Sequence, residues 1–124
     1  MILDAGALVA VDRNDRAMMA RLLAAYEAGD ELRTHPLVVA QVWRNASGRQ
    51  AVLARLLKSV EIVPIDDDLG RRSGELLGEV ALSDPIDAAV VLVAEDGDSI
   101  VTSDPEDIGT LAAVAGTHVL VVRC

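Results

Sequence analysis

The chain has 124 residues, a formal net charge of −9, 52% hydrophobic residues and no Phe. A chain of this length is long enough for one core, and its apolar content excludes a disordered protein. We therefore expect a single domain over residues 1–124. A core made mainly of Ala, Val, Leu and Ile is typical of helices packed on a buried parallel sheet.

The apolar stretches of the chain do not predict a targeting or membrane segment. Asp4 and Asp12 interrupt the first of them, and no basic segment precedes it, as a signal peptide would require. Charged residues also divide the longer ones, so we expect no membrane span and a cytoplasmic protein. Cys124 is the single cysteine, which excludes an internal disulfide and a cysteine metal cage.

The charged residues are unevenly distributed. Residues 73–124 contain ten of the twenty acidic residues and a single basic residue, Arg123. The segment between Glu31 and Glu61 has no acid and carries a charge of +5, from Arg33, Arg44, Arg49, Arg55 and Lys58. The net charge argues against general nucleic-acid binding, but this distribution allows a basic surface to face an acidic, metal-binding pocket.

Strand and helix patterns alternate from the first residues onward. Residues 1–3 form a short apolar strand that ends at Asp4, and the small residues after it permit close approach of another element. A short helix, a polar turn and a helix over Arg16–Glu27 follow. The expected buried stripe of this second helix comprises Met18, Met19, Leu22, Leu23 and Tyr26.

The middle of the chain continues the alternation. The expected elements are a strand over 31–34, helices over 36–45 and 49–59, and a strand over 60–65. Asp66, Asp67 and Asp68 then begin a further helix, where the helix dipole favours negative charge, so we expect these acids to be caps. His35 and His118 lack a partner at metal-ligand spacing, and we expect His35 to be a cap or loop residue.

Residues 83–107 contain two copies of one pattern, SDPID and SDPED, twenty residues apart. In each copy a Ser or Asp caps a helix, Pro takes the first helical position, and a later Asp faces the free amide groups. Capping alone explains either copy taken separately. Between them lies the strand Ser99–Thr102, and a last helix ending at Gly116 and a strand over 118–122 complete an α/β three-layer pattern.

Asp4 and Asp104 both follow a predicted strand. The carboxyl ends of parallel strands lie at one edge of a sheet, where ligands bind. We therefore expect Asp4, Asp104 and Asp107 to meet Asp87 at that edge. Because four converging carboxylates repel one another, a divalent cation that prefers oxygen ligands would stabilise the cluster.

The blocks ILDAGALVAV, VVAQVWRN, DPIDAAVVLVA and IVTSDPEDI resemble, in order and spacing, the motifs of the PIN-domain family. The resemblance is strongest to the small VapC-like ribonuclease toxins of bacterial toxin–antitoxin pairs, and it covers essentially the whole chain. It implies a central parallel sheet flanked by helices, Mg²⁺ or Mn²⁺ held by acidic residues, cleavage of RNA phosphodiester bonds, and inhibition by a small antitoxin protein. A protein of this kind is expected to bury an apolar helix face, here Met18, Met19 and Leu22, in a homodimer or against the antitoxin.

The resemblance also assigns roles by position. Asp4, Asp87 and Asp104 match acids of the metal site, and Asp107 matches an auxiliary acid. Where such proteins usually carry Glu on the helix after the second strand, this sequence has Gln41. A Gln side chain offers a carbonyl oxygen but brings no negative charge and cannot act as a base.

These inferences favour a Mg²⁺- or Mn²⁺-dependent endoribonuclease. Contacts to the RNA backbone are expected from Arg13, Arg44, Arg49 and Arg55, with Arg44 best placed because it shares a helix face with Gln41. The alternative is a PIN fold that binds RNA or a partner protein with weak catalysis. Phosphate-handling α/β enzymes and receiver domains fit poorly, because the chain lacks a glycine-rich phosphate loop and a Lys at a strand end.

Overall fold

The computed structural model describes residues 1–45 and 47–124, and these residues form seven helices and one five-stranded sheet. The strands are β1 (Ile2–Leu3), β2 (Leu32–Thr34), β3 (Val60–Ile62), β4 (Ser99–Thr102) and β5 (Leu120–Arg123). The helices are α1 (Ala5–Asp12), α2 (Arg16–Glu27), α3 (Pro36–Val42), α4 (Ala51–Leu57), α5 (Asp67–Gly78), α6 (Pro85–Val93) and α7 (Pro105–Ala115). Within the described residues, no helix is both long and apolar enough to cross a membrane.

The strand order of the sheet is β3-β2-β1-β4-β5, and every pair of neighbours is parallel. β1 lies in the middle, with Ile2 opposite Arg33 on one side and Ile100 on the other. The order along the chain reverses between β1 and β4, which is where parallel α/β sheets form a crevice at their carboxyl edge. Asp4 and Asp104 follow these two strands, so the predicted parallel sheet is confirmed.

Helices cover the sheet in two groups, one formed by α1 with α2, α3 and α4, and the other by α5, α6 and α7. The middle strands are completely buried between them, including Ile2, Leu3, Ile100 and Val101. Strands with buried faces on both sides carry continuous apolar residues, as the sequences of β1 and β4 do. This burial fixes the carboxyl ends of β1 and β4 relative to each other.

Several predicted elements are shorter than their sequence patterns indicated. The helix expected over 36–45 ends at Val42, the helix expected over 49–59 covers Ala51–Leu57, and the strand expected over 60–65 ends at Ile62. The side chain of Gln50 explains the first difference: its Oε1 accepts hydrogen bonds from the amides of Arg44 and Asn45, at 2.8 and 2.9 Å. Its Nε2 donates to the Val42 carbonyl at 2.9 Å, so this side chain replaces helical hydrogen bonds in the loop.

The prediction for the buried stripe of α2 was partly wrong. Met18 and Leu22 are buried as expected, whereas Met19, Leu23 and Tyr26 are 36%, 56% and 78% exposed. The helical period separates the two sets, because Met18, Leu22 and Ala25 lie on one side and the exposed residues lie on the adjacent strip. The exposed strip lines an apolar groove of about 510 Å³ between α2 and α4.

Capping was predicted correctly at two helices. The Asp66 carboxylate accepts from the Leu69 amide at 2.8 Å, while Asp67 and Asp68 pair with Arg71 and Arg72 one turn later. His35 caps α3, where its Nδ1 accepts from the Leu37 amide at 3.2 Å. These residues are therefore caps, as expected, although His35 makes a second contact described below.

Arg33 holds a charged network before β4 begins. Its guanidinium pairs with Asp98 and, at 3.2 Å, with Glu95. Although burial acts to raise the pKa of Asp98, the Glu95 amide, the amino group of Met1 and Arg33 together lower it. Asp98 is therefore ionised and paired with both Met1 and Arg33.

Gly6 allows α1 to pass close to the chain after β4. A methyl group on Gly6 would lie 2.7 Å from the Cβ of Ser103 and 2.9 Å from its backbone nitrogen. Because backbone atoms must then shift, we expect Gly6→Ala to lower the free energy of unfolding by about 1–3 kcal/mol. This loss should outweigh the helix preference of Ala over Gly, which is about 1 kcal/mol.

Equilibrium unfolding in urea measures this effect. Gly70→Ala on α5 is the control, because a methyl group there meets no atom within 4 Å. This control should stabilise the protein, as expected for a helical Gly in open space. Equal stabilisation by Gly6→Ala would contradict the close packing of α1 on Ser103.

Candidate metal centre

Asp4 lies at the end of β1 and is buried, with 5% of its surface exposed. Its Oδ1 accepts from the Ala5 amide at 2.8 Å, which caps α1, and its Oδ2 accepts from the Thr102 hydroxyl at 2.7 Å. The Asp4 amide donates to the Val101 carbonyl at 3.0 Å. These three bonds hold the carboxylate between the ends of β1 and β4.

Thr102, the last residue of β4, links Asp4 to Asp104. Its buried hydroxyl donates to Asp4 and accepts from the Asp104 amide at 3.0 Å. Asp104 occupies the cap position of α7, but its exposed side chain makes no capping hydrogen bond there. By contrast, Asp84 caps α6 and accepts from the amides of Ile86 and Asp87, at 2.9 and 3.4 Å. The two SDP segments therefore differ, since only the second leaves its cap-position carboxylate uncommitted.

The carboxylates of Asp87, Asp104 and Asp107 form a cluster. One oxygen from each lies within 4.8 Å of the others, and in the described residues this is the only group of three or more His, Cys, Asp or Glu with that spacing. Asp87 and Asp107 are partly buried in the first turns of α6 and α7. They also line a cleft of about 180 Å³ with Asp84, Leu82 and Leu111. We call Asp87, Asp104 and Asp107 the acid cluster.

The cleft beside the acid cluster is acidic. Burial, followed by the charges of Asp84, Asp4, Asp104 and Asp107, raises the pKa of Asp87 to about 7. The pKa of Asp107 is also raised, by desolvation and then by Asp104. None of the described residues lining the cleft is basic. Several oxygen ligands with uncompensated negative charge are the donor set of a hard divalent cation, so the residues present fit such an ion.

Residues 1–114 match the sequence profile of the PIN domain. The chain belongs to the PIN-domain family. Its fold is similar to a chain in the crystal structure of VapBC2 from Rickettsia felis bound to a DNA fragment from their promoter, with a TM-score of 0.72. The two chains share 14% sequence identity over 99% of this chain and 97% of that chain, so this likeness shows the fold. No curated protein is significantly similar in sequence.

The family predicted from the sequence motifs is thus confirmed, and three of the four predicted acids of this PIN domain form the acid cluster. Asp4 lies outside that three-residue group, although its charge contributes to the raised pKa of Asp87. Both of its oxygens already accept hydrogen bonds. Asp4 is therefore held rigidly by hydrogen bonds and acts on Asp87 from outside the cluster.

Gln41 and Arg44 lie at the end of α3 in this PIN domain. Gln41 is exposed in the last turn of the helix. The Arg44 guanidinium donates to the carbonyls of Ala40 and Trp43, both at 2.8 Å, and to the Gln41 carbonyl at 3.3 Å. Arg44 thus caps the C-terminus of α3, where positive charge is favoured by the helix dipole. An RNA contact by Arg44 would use the part of its guanidinium that remains exposed.

The other predicted arginines lie in different places. Arg13 lines a cleft of about 500 Å³ together with Gly6 and Ser103, which neighbour the strand ends of the metal centre. Arg49 is exposed in the turn before α4, and Arg55 lies on the apolar groove between α2 and α4. Of the four predicted RNA contacts, Arg13 is the one whose cleft includes the chain neighbours of Asp4 and Asp104.

Sequence reasoning missed two residues of this site. Thr102 was assigned to a strand only, yet its hydroxyl orders Asp4 and the turn that carries Asp104. A Thr at a strand end, two residues before an acid, was the available signal. Asp84 was predicted as a cap, which it is, but it also lines the acidic cleft and raises the pKa of Asp87.

The raised pKa of Asp87 predicts that the metal-free protein loses stability as pH rises. An unfolded Asp titrates near 3.8 and the folded one near 7, so between these values the folded state binds the extra proton. Stability contributed by the protonated carboxyl is therefore present below the unfolded value and lost as pH rises through the folded value. Asp87→Asn keeps the shape without the charge and should flatten this decline.

The measurement is the melting temperature in chelator at several values between about pH 5 and pH 8. Asp68→Asn is a charge-matched control, because Asp68 is an exposed acid at the start of α5. The control should retain the slope of the wild type. A wild-type slope in Asp87→Asn would mean that Asp87 does not carry the shifted proton.

Proposed function

We propose that this PIN domain is a metal-dependent endoribonuclease that acts as the toxin of a toxin–antitoxin pair. The acid cluster carries the proposal, because three carboxylate oxygens within 4.8 Å of one another lie beside the ends of β1 and β4 with no basic partner among the residues described around the cleft. Membership of the PIN-domain family and the fold similarity to a chain of the VapBC2 complex support the reaction class and the type of system. A toxin that cleaves cellular RNA would act in the cytoplasm.

In the proposed mechanism, Asp87, Asp104 and Asp107 would hold Mg²⁺ or Mn²⁺, and Asp4 would assist them directly or through water. When bound, such an ion lowers the pKa of a water molecule and stabilises negative charge on the phosphate. Asp87 must give up its proton before it can act as a ligand, so the affinity for the ion rises with pH. Asp4 is held in place by Thr102, so its carboxylate would act on the ion from a fixed position.

The proposed RNA path begins at Arg13. This side chain shares a cleft with Gly6 and Ser103, which lie within two residues of Asp4 and Asp104 along the chain. Arg44, Arg49 and Arg55 are proposed as further backbone contacts, which orient RNA without reading its sequence. The net charge of −9 makes such local basic contacts necessary, because the protein as a whole repels RNA.

The groove between α2 and α4 is proposed as the surface that a partner protein covers. The face expected from the sequence was Met18, Met19 and Leu22, but Met18 and Leu22 are buried in the core. The exposed apolar surface is instead formed by Met19, Leu23 and Tyr26. We infer that a small antitoxin protein or a second copy of the chain packs on these three residues.

The alternative function is an RNA- or protein-binding PIN fold with weak catalysis. Gln41 favours it, because an exposed Gln supplies no negative charge where related toxins are expected to carry Glu. The two functions share the fold and the acid cluster. Cleavage activity with and without divalent ions distinguishes them.

Loss of the acid cluster should remove both metal binding and cleavage. Mg²⁺ or Mn²⁺ at millimolar concentration should raise the melting temperature of the wild type by mass action on the folded state. Asp87→Asn and Asp104→Asn should remove most of this shift and slow RNA cleavage by about 100-fold or more, since even residues that only support metal ligands cost 10–100-fold. Thermal unfolding and cleavage of structured cellular RNAs, each with ion and with chelator, measure these effects.

Asp67→Asn is the control for this experiment. It removes the same charge from an exposed acid that pairs with Arg71 on α5. This variant should keep the metal-induced shift and the cleavage rate of the wild type. If Asp87→Asn and Asp104→Asn behave like Asp67→Asn, the acids of the two SDP segments have no ligand role.

Gln41→Glu tests the departure from the expected family pattern. If α3 brings position 41 to the metal site, Gln41→Glu adds a carboxylate there at nearly constant shape, so it should tighten divalent binding and raise cleavage at limiting Mg²⁺. The metal-free protein should lose stability at the same time, because the added charge increases repulsion. A Gln41 that only lies on a solvated helix face would change the free energy of unfolding by no more than about 0.5 kcal/mol.

Calorimetric metal titration and single-turnover cleavage rates compare the two proteins. Unchanged affinity and rate would contradict a role for position 41 in the site. Inactivity of both proteins despite tight metal binding would favour the binding function.

A further inference from the structure

We propose that His35 is a positioning residue for Asp87, which joins the first turn of α6 to α3 and thereby sets where the Asp87 carboxylate enters the acid cluster. His35 lies between β2 and α3 and is completely buried. Its Nδ1 accepts from the Leu37 amide at 3.2 Å, and its Nε2 lies 3.0 Å from the Ile86 carbonyl. Ile86 directly precedes Asp87. This inference rests on the metal site proposed above.

The two partners fix the chemical state of the His35 ring. An amide N–H can only donate, so Nδ1 carries no proton, and a carbonyl can only accept, so Nε2 carries one. The ring is therefore neutral and in a single tautomer. Burial lowers the pKa of His35, although the Ile86 carbonyl and the charges of Asp4 and Asp84 act in the opposite direction. The imidazole thus connects two helices without adding charge to an acidic region.

The bond to Ile86 differs from the other hydrogen bonds of this turn. Asp84 accepts from the amides of Ile86 and Asp87, but these bonds lie within the turn and only shape it. Of the side-chain hydrogen bonds found for described residues 84–87, the one from His35 is the bond that reaches another element, 51 residues away. It therefore fixes the turn relative to β2 and α3, and with it the direction of Asp87.

Two substitutions remove the hydrogen bonds of the two ring nitrogens one at a time. In His35→Asn the amide oxygen takes the position of Nδ1, so the cap of α3 is kept and the donor to Ile86 is lost. In His35→Gln the amide nitrogen reaches the position of Nε2, so the donor is kept and the cap is lost. Both variants lose one hydrogen bond of a buried group, but only His35→Asn releases the turn that carries Asp87.

The experiment is a calorimetric titration of the full chain with Mn²⁺, at a temperature well below the melting temperature of every variant. We expect His35→Asn to weaken Mn²⁺ binding by about tenfold or more, the range found when residues that orient metal ligands are lost. His35→Gln should stay close to the affinity of the wild type. Ser73→Ala is the stability control, because it removes a different buried hydrogen bond, from the Ser73 hydroxyl to the Leu69 carbonyl. It should lose stability without losing affinity.

Equal Mn²⁺ affinity in His35→Asn and the wild type, or equal weakening in both His35 variants, would overturn the inference. A second measurement uses the wild type alone, in case a variant does not fold. The NMR signals of the His35 ring nitrogens should show one neutral tautomer with the proton on Nε2. The Nε2 signal should shift during Mg²⁺ titration in step with the signal of the Asp87 carboxyl carbon. An Nε2 signal that does not shift with Mg²⁺ while the Asp87 signal does would also overturn the inference. A wild type that binds neither ion refutes the proposed metal site, and the role of His35 with it.

Discussion

Repulsion among the carboxylates at the ends of β1 and β4 is the constraint on which the rest of this structure depends. The fold accommodates each acid differently. Asp4 is buried and uses both oxygens as hydrogen-bond acceptors, Asp87 has a pKa of about 7, and Asp104 remains exposed. The repulsion is thus reduced in three ways: by hydrogen bonds at Asp4, by a proton at Asp87 and by solvent at Asp104. A divalent ion would replace the proton at Asp87 and offset the negative charge of all three carboxylates of the acid cluster.

The topology of the sheet brings these carboxylates close together. With β1 in the middle and the strand order reversing at β4, the two buried middle strands end side by side. The first turns of α6 and α7 begin nearby, and each brings one further acid, Asp87 or Asp107. Helix N-termini carry partial positive charge, which offsets part of the repulsion. The same elements that form the core therefore also assemble the site.

Local signals made much of this predictable. Pro at the first helical position identified α6 and α7, and the pattern over Arg16–Glu27 identified α2 with its observed bounds. The role or exposure of some side chains could not be predicted from local sequence, because it depends on residues distant in the chain. Asp84 and Asp104 occupy the same place in matching pentapeptides, yet only Asp84 caps its helix with its side chain. Likewise, Leu23 and Tyr26 fit an apolar helix pattern yet are exposed, and the second bond of His35 depends on a carbonyl 51 residues away.

The charged network around Arg33 gives the two ends of the sheet opposite responses to ionic strength. Before β4, Asp98 and Glu95 pair with Arg33, so screening by monovalent salt weakens an attraction. After β4, the acid cluster faces no basic residue among those described around its cleft, so the same screening weakens a repulsion. The two effects oppose each other. Bulk salt therefore acts in opposite directions at the two ends of the sheet, whereas an ion that coordinates the carboxylates would act on one end alone.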